Sequence, residues 1–318
     1  MMNLRYEKLE KRRANLHAEG GVYVNRETLK TIAENMREFD FAGSRIALRI
    51  VNPRQETELL RSLPHLPCMD LAFIFVVFFN RDPHAQMTAA VRTSHLEQWG
   101  ITPEELLPIA AANSPRCMPP HLESIADLLG ISEDAMEKAL LTKPEQQEDA
   151  LPPGKAQKKS CLPPEPDSDA VSAGREESPL YVLTTRQGIY GAAAMLYPGI
   201  LRSFAAAAGD DLYIIPSSVH EVLLQAKGGA PDVQDMNAII REINAGEVQP
   251  KERLSDHVYL YSREKDLIFD PLCPSCAIRP FAHRPDTHLP GEIREITPYL
   301  RPDRTVAHTD SPPGTAFL

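Results

Sequence analysis

The run Val258-Tyr259-Leu260-Tyr261, the polar turn Ser262-Arg263-Glu264-Lys265-Asp266 and the run Leu267-Ile268-Phe269 read as a β-hairpin. Two short strings of β-branched, aromatic and aliphatic residues about a short polar turn favour antiparallel pairing, since a parallel return needs a crossover of a dozen or more residues. Outward from this hairpin, Asp232 to Asn244 carries Met236, Ile239, Ile240 and Ile243 at helical spacing and is closed by Gly246. Asp211 to Ile215 and Val219 to Leu224 read as two strands about a turn at Pro216-Ser217-Ser218. Pro198 opens a helix over Gly199 to Ala208, which Gly209 terminates. Leu180 to Thr184 is a further strand, and Ala192 to Leu196 a second apolar stretch. Helices interspersed with hairpins make residues 180–276 an α+β domain with an antiparallel or mixed sheet.

Residues 25–142 give a second unit of the same class. Asn25 caps a helix over Arg26 to Phe39, and Arg45 to Val51 is a strand that Asn52-Pro53 breaks. Gln55 to Ser62 is helical in period. Cys68 to Phe79 is almost continuously apolar, as a strand covered on both faces requires, and Met87 to Arg92 pairs with it across Asn80-Arg81-Asp82-Pro83. Ser94 caps a short helix to Trp99, and Thr102-Pro103-Glu104-Glu105 opens one through Asn113. Leu122 to Leu129 and Ser132 to Leu141 read as two more short helices.

The chain has 318 residues, with 29 prolines against 16 glycines, where an average chain carries about 5% proline. Much of the excess falls in Lys143 to Pro179 and after Cys276. The first of these, with almost no large apolar side chains, reads as a disordered linker, because it buries too little to offset roughly 1–2 kcal/mol of backbone entropy per residue. The organisation expected is a charged N-terminal segment at 1–24, an α+β domain at 25–142, the linker at 143–179, an α+β domain at 180–276 and an irregular tail at 277–318.

Thirty-four Lys plus Arg against 44 Asp plus Glu give a net charge of −10, which works against nucleic-acid binding. Five scattered cysteines do not form the dense, even framework of a secreted scaffold. The N-terminal stretch carries no apolar export core, and the apolar run from Leu71 to Phe79 is far short of the roughly 20 residues that span a bilayer. A cytoplasmic protein away from membranes is expected.

No complete catalytic motif is present. The densest polar cluster is Ser217-Ser218-Val219-His220-Glu221, where position 224 is Leu and a zinc-peptidase helix is thereby excluded. As a strand it places Ser218 and His220 on one face, a nucleophile and base that Asp256 orients from a neighbouring strand; in the plainer reading Pro216-Ser217-Ser218 is a tight turn whose hydroxyls satisfy the backbone. Asp256-His257, with Asn237, Glu242 and Asn244 on the preceding helix, offers an acid/base or metal site. Cys273 and Cys276, followed by His283 and His288, form C-x2-C-x6-H-x4-H, four ligands suited to tetrahedral zinc, with a gap shorter than a finger uses. The plainer reading there is two thiols in an irregular tail, a context that argues against a redox motif at a helix start. Gly188-Ile189-Tyr190-Gly191 lacks the third glycine of a dinucleotide loop and reads as a turn.

The strings YVLT at 181–184, GIYGAAAMLYP at 188–198, IIPSSVHEV at 214–222 and LSDHVY at 254–259, with IVNP at 50–53, MDLA at 69–72 and SHLEQWGI at 94–101, resemble a family of uncharacterised bacterial proteins classed as a domain of unknown function and found largely in anaerobic Gram-positive bacteria. Residues 196–224 are also similar, more distantly, to a family of small cytoplasmic bacterial proteins of unknown role. The resemblance implies membership and no activity, cofactor or catalytic residue. The function expected is a non-catalytic cytoplasmic binding or adaptor protein with another protein as partner and no cofactor. The alternative is a hydrolase-type enzyme using Ser218, His220, Asp256 and His257.

Overall fold

The computed structural model describes residues 26–79, 87–128 and 178–282. Helices α1 (Arg26–Asn35) and α2 (Phe39–Gly43) lead into β1 (Ile46–Val51); α3 (Thr57–Leu60) precedes β2 (His65–Cys68), β3 (Leu71–Phe78) and β4 (Thr88–Ala90). β3 pairs antiparallel with β1 from Ile46↔Val77 to Val51↔Ala72, and also with β2 along its first half and β4 along its second. All eight of its residues are buried. Alternation sends Leu71, Phe73, Phe75 and Val77 into the main core, Ala72 and Ile74 onto Leu60 and Leu63, and Val76 and Phe78 onto Ala47 and Met118. Each buried large apolar side chain contributes about 1.5–3 kcal/mol, so a run apolar on both faces stabilises a strand only at the centre of such layers.

Helix α4 (Thr93–Trp99) ends at Gly100 in the left-handed region, and α5 (Pro103–Cys117) opens on a capping box in which Thr102 Oγ1 accepts from Glu105 N–H at 3.2 Å and Thr102 N–H donates to the Glu105 carboxylate at 2.9 Å. Buried Ser114 ties α5 to the first sheet: its hydroxyl donates to Ala110 O at 2.7 Å and accepts from Leu48 N–H at 2.9 Å. The strand β5 (Pro120–Ser124) and the helix α6 (Ile125–Leu128) then replace the single helix expected over 122–129. Leu122 packs on the main core and Ile125 on the opposite face of the second sheet, an alternation a helix would not produce.

That second sheet has the order β11-β10-β9-β7-β8-β6-β5, all neighbours antiparallel. Its other strands are β6 (Tyr181–Thr185), β7 (Leu212–Ser218), β8 (Glu221–Ala226), β9 (Tyr259–Ser262), β10 (Leu267–Asp270) and β11 (Cys273–Ile278). Its outermost strand β5 precedes residue 129 in the chain, whereas the strand it pairs with, β6, follows residue 177. One face packs α8 (Val233–Gly246) through Met236 and Ile240 onto Tyr213, Ile215, Leu223 and Leu260. The other shares the main core with the first sheet, filled by the wholly buried 3-10 turn Gly191–Leu196 and by Ile200, Leu201, Phe204 and Ala205 of α7 (Ile200–Ala208).

The α+β class and the antiparallel hairpins are observed. Two further local expectations change. Pro216, Ser217 and Ser218 belong to β7, and the chain reverses at Val219-His220, because the β7–β8 ladder continues to Ser218↔Glu221. The apolar stretch Ala192 to Leu196 is a buried 3-10 turn, and Gly191 at its start sits close against Thr184 of β6 and the His220 carbonyl. Order also continues past Cys276: β11 runs to Ile278, Phe281 N–H donates to Leu196 O at 2.9 Å, and its ring lies 6.0 Å from Phe73. The helix expected at 132–141, nearly all of the linker and the rest of the tail lie outside the described residues.

Candidate functional site

Two polar clusters gather the sequence candidates. The first is the β7–β8 reversal. Gly191 lies so close beneath it that a Cβ would stand 2.6 Å from Thr184 Cα and closer still to the His220 carbonyl, so only glycine fits. Thr184 Oγ1 donates to that carbonyl at 2.8 Å. Tyr190, held at φ 53°, donates its backbone N–H to His220 Nδ1 at 3.2 Å and stacks its ring on the imidazole at 5.9 Å. Because Nδ1 accepts, the neutral ring carries its proton on Nε2, which faces Glu252 Oε1 at 3.9 Å. The Arg49 guanidinium of the first sheet lies 4.7 Å from the centre of the Tyr190 ring, completing an Arg49, Tyr190, His220 stack across the sheets. Ser217 Oγ donates to Glu221 Oε1 at 3.0 Å with both residues buried. Ser218, with no exposed surface, accepts the His220 backbone N–H at 3.1 Å. Its contact with His220 thus runs through the backbone, as in the turn-satisfying reading.

The second cluster forms where the loop before β9 meets the β2–β3 turn. Tyr259 Oη donates to Asp70 Oδ1 at 2.7 Å and Ser255 Oγ donates to Asp70 Oδ2 at 3.1 Å. His257 Nδ1 lies 3.1 Å from Ser255 Oγ, and its Nε2 lies 3.8 Å from Asp70 Oδ1 and 3.7 Å from Asp270 Oδ2. Its ring meets Tyr259 edge-on at 4.9 Å. Burial, with the Asp70 carboxylate adding to it, holds the Tyr259 phenol well above its ordinary range and pushes the Cys68 thiol up to about 12. Both groups therefore stay protonated at neutral pH.

Asp256 turns away from this cluster. It is exposed, and it accepts from Asn244 Nδ2 at 2.7 Å while the same amide donates to Ser255 O at 3.0 Å. Asn237 Oδ1 accepts from Val258 N–H at 2.8 Å, so α8 uses both asparagines to seat the loop. The four candidates are accordingly divided, Ser218 and His220 in the first cluster, His257 in the second, Asp256 beside it on a structural bond. Asp70, Ser255, Tyr259 and Asp270 escaped sequence reasoning. Ser255 lies two residues from His257, but Asp70 is 185 residues from Ser255, a separation that no local pattern spans.

Cys273 and Cys276 stand exposed on β11, with their sulfurs 3.7 Å apart. The Ser275 hydroxyl and the Cys276 thiol draw the Cys273 pKa down, and the same shared contact raises that of Cys276. His283 and His288 lie outside the described residues. No group of three or more His, Cys, Asp or Glu placed to hold a metal occurs among the described residues.

A separate groove of about 640 Å³ opens beside the first sheet, walled by Leu60, Leu63, Leu96, Ile101 and Pro103 with Arg61, His65 and Glu97 also lining it. No member of either polar cluster lines it. No helix of the described residues is long and apolar enough to cross a membrane. No curated protein and no solved structure matches the chain. A family model matches residues 5–263, which take in the first sheet, strands β5 to β9 of the second and every member of the two clusters but Asp270, and by it the chain belongs to DUF5688, a family of unknown function.

Proposed function

We propose that the protein is a non-catalytic cytoplasmic binding or adaptor protein that engages another protein through the groove beside the first sheet. The observation that carries this reading is the division of the chemically capable side chains. Ser218 is buried on a backbone N–H and Asp256 is committed to Asn244, so neither completes a constellation with His220 or His257. The groove has apolar walls with both charge signs and an imidazole among its lining, the composition of a surface for an apolar peptide segment with polar flanks. The charge of −10 supports a protein partner over a polyanion. The reading needs no cofactor.

A hydrolase reading is favoured by one contact set, Ser255 Oγ at 3.1 Å from His257 Nδ1 with Asp270 3.7 Å from Nε2, which has the order nucleophile, base, orienter. Against it, Ser255 is 2% exposed and already donates to Asp70. A fluorophosphonate, which labels activated serines, separates the two. The binder reading expects no serine of the full chain to be labelled, and stoichiometric labelling of Ser255 that His257→Gln abolishes overturns it. For the groove, a stoichiometric partner captured by the full chain is expected to be lost with Ile101→Asp, at unchanged folding by circular dichroism; retention overturns the placement.

A further inference from the structure

β11 is an edge strand whose pairing with β10 slips. Phe269 faces Ala277, yet the next residue, Asp270, faces Cys273. A single step on β10 is thus matched by the stretch from Cys273 to Ala277, and Pro274, Ser275 and Cys276 bulge out of the ladder. In a regular strand, residues three apart point to opposite faces. The bulge instead brings the two sulfurs to 3.7 Å, with the Ser275 hydroxyl 3.5 Å from Cys273 Sγ. Both cysteines are open to solvent, unlike Cys68, which is sealed beneath the second polar cluster. A disulfide needs its sulfurs at about 2.05 Å, so closure asks the two sulfurs to approach from 3.7 Å.

We propose that Cys273 and Cys276 form a dithiol that undergoes exchange with small-molecule disulfides. The Cys273 thiolate attacks one sulfur of R–S–S–R; that S–S bond breaks, a Cys273–S–S–R bond forms, and RS⁻ leaves and takes a proton from water. Cys276 then loses its proton to solvent and attacks the Cys273 sulfur, forming the Cys273–Cys276 bond and expelling the second RS⁻. Two protein thiols are oxidised by two electrons, and the external disulfide is reduced to two thiols. The proposal does not rest on the groove or on either histidine.

The test incubates the reduced full chain with oxidised glutathione, followed by intact mass measurement and peptide mapping. The expected result is loss of two hydrogen atoms with the new bond mapped to Cys273–Cys276 and no glutathione retained. Cys276→Ser is expected to hold one glutathione on Cys273. Glutathione retained on both cysteines of the wild-type chain overturns the proposal. So do thiols that remain reduced, whether they become reactive only after a chelator, as a zinc-bound pair would, or do not react at all.

Discussion

The reversal at His220 and the loop at His257 use the same residue types, a serine, a histidine and carboxylates, to different ends. At His220 the hydroxyls and the imidazole bond largely to backbone groups, Ser218 to His220 N–H, Thr184 to His220 O and Nδ1 to Tyr190 N–H. At His257 the bonds run between side chains from distant parts of the chain, Asp70 receiving both Ser255 and Tyr259. The first arrangement shapes a turn, with only the stacked Arg49 reaching it from the other sheet; the second fastens one sheet to the other by side-chain hydrogen bonds. The contrast teaches that residue composition within a short window does not report what a cluster does. What decides is whether polar atoms are spent on backbone groups or left for side chains that the fold delivers.

The comparison is most directly broken at the first cluster. Gly191→Ala places a methyl against the His220 carbonyl and Thr184 Cα, both backbone and unable to yield. The expected loss is about 3 kcal/mol or more by denaturant unfolding, within the range of substitutions that force backbone strain or overpacking. A loss below about 1 kcal/mol would mean that the reversal is not packed as described. At the second cluster, Asp70→Ala leaves the buried Tyr259 hydroxyl without its acceptor and is expected to cost about 2 kcal/mol. A double-mutant cycle with Tyr259→Phe should recover a coupling of about 1 kcal/mol, and additivity would dissolve the claim that this bond joins the sheets. The smallest effect is expected at Asp256→Ala, about 1 kcal/mol or less, because its carboxylate is exposed and Asn244 keeps its bond to Ser255 O. A loss equal to that of Asp70→Ala would place Asp256 in the fastening cluster after all.

Much of the fold was legible along the chain. The hairpin at 258–269, the continuous apolar run at 71–78, the capping box at Thr102 and the amphipathic face of Met236 and Ile240 each declare an element through local chemistry, and each is where its pattern puts it. The misreadings have a common cause. At Pro216-Ser217-Ser218 turn-forming residues sit inside a strand, because the ladder with β8 and burial outweigh their preference. At Pro120–Ser124 a weak pattern is made a strand by pairing with β6, a partner far along the chain. The bulge that joins Cys273 to Cys276 likewise depends on register with β10 and is invisible in the spacing alone.

By itself, then, the sequence determined the α+β class, the central strands and helices and the acidic charge, since these rest on residue type and short-range period, and its motifs carried the resemblance to an uncharacterised family. Only the tertiary structure decided which side chains meet. Asp70 joins Ser255, His257 and Tyr259, while Asp256 and Ser218, both nearer to a candidate histidine in the chain, are spent elsewhere. The physical reason is that a polar atom's partner is fixed by sheet order and register, which depend on pairings between residues far apart in sequence, whereas periodicity reports only the face on which each residue lies.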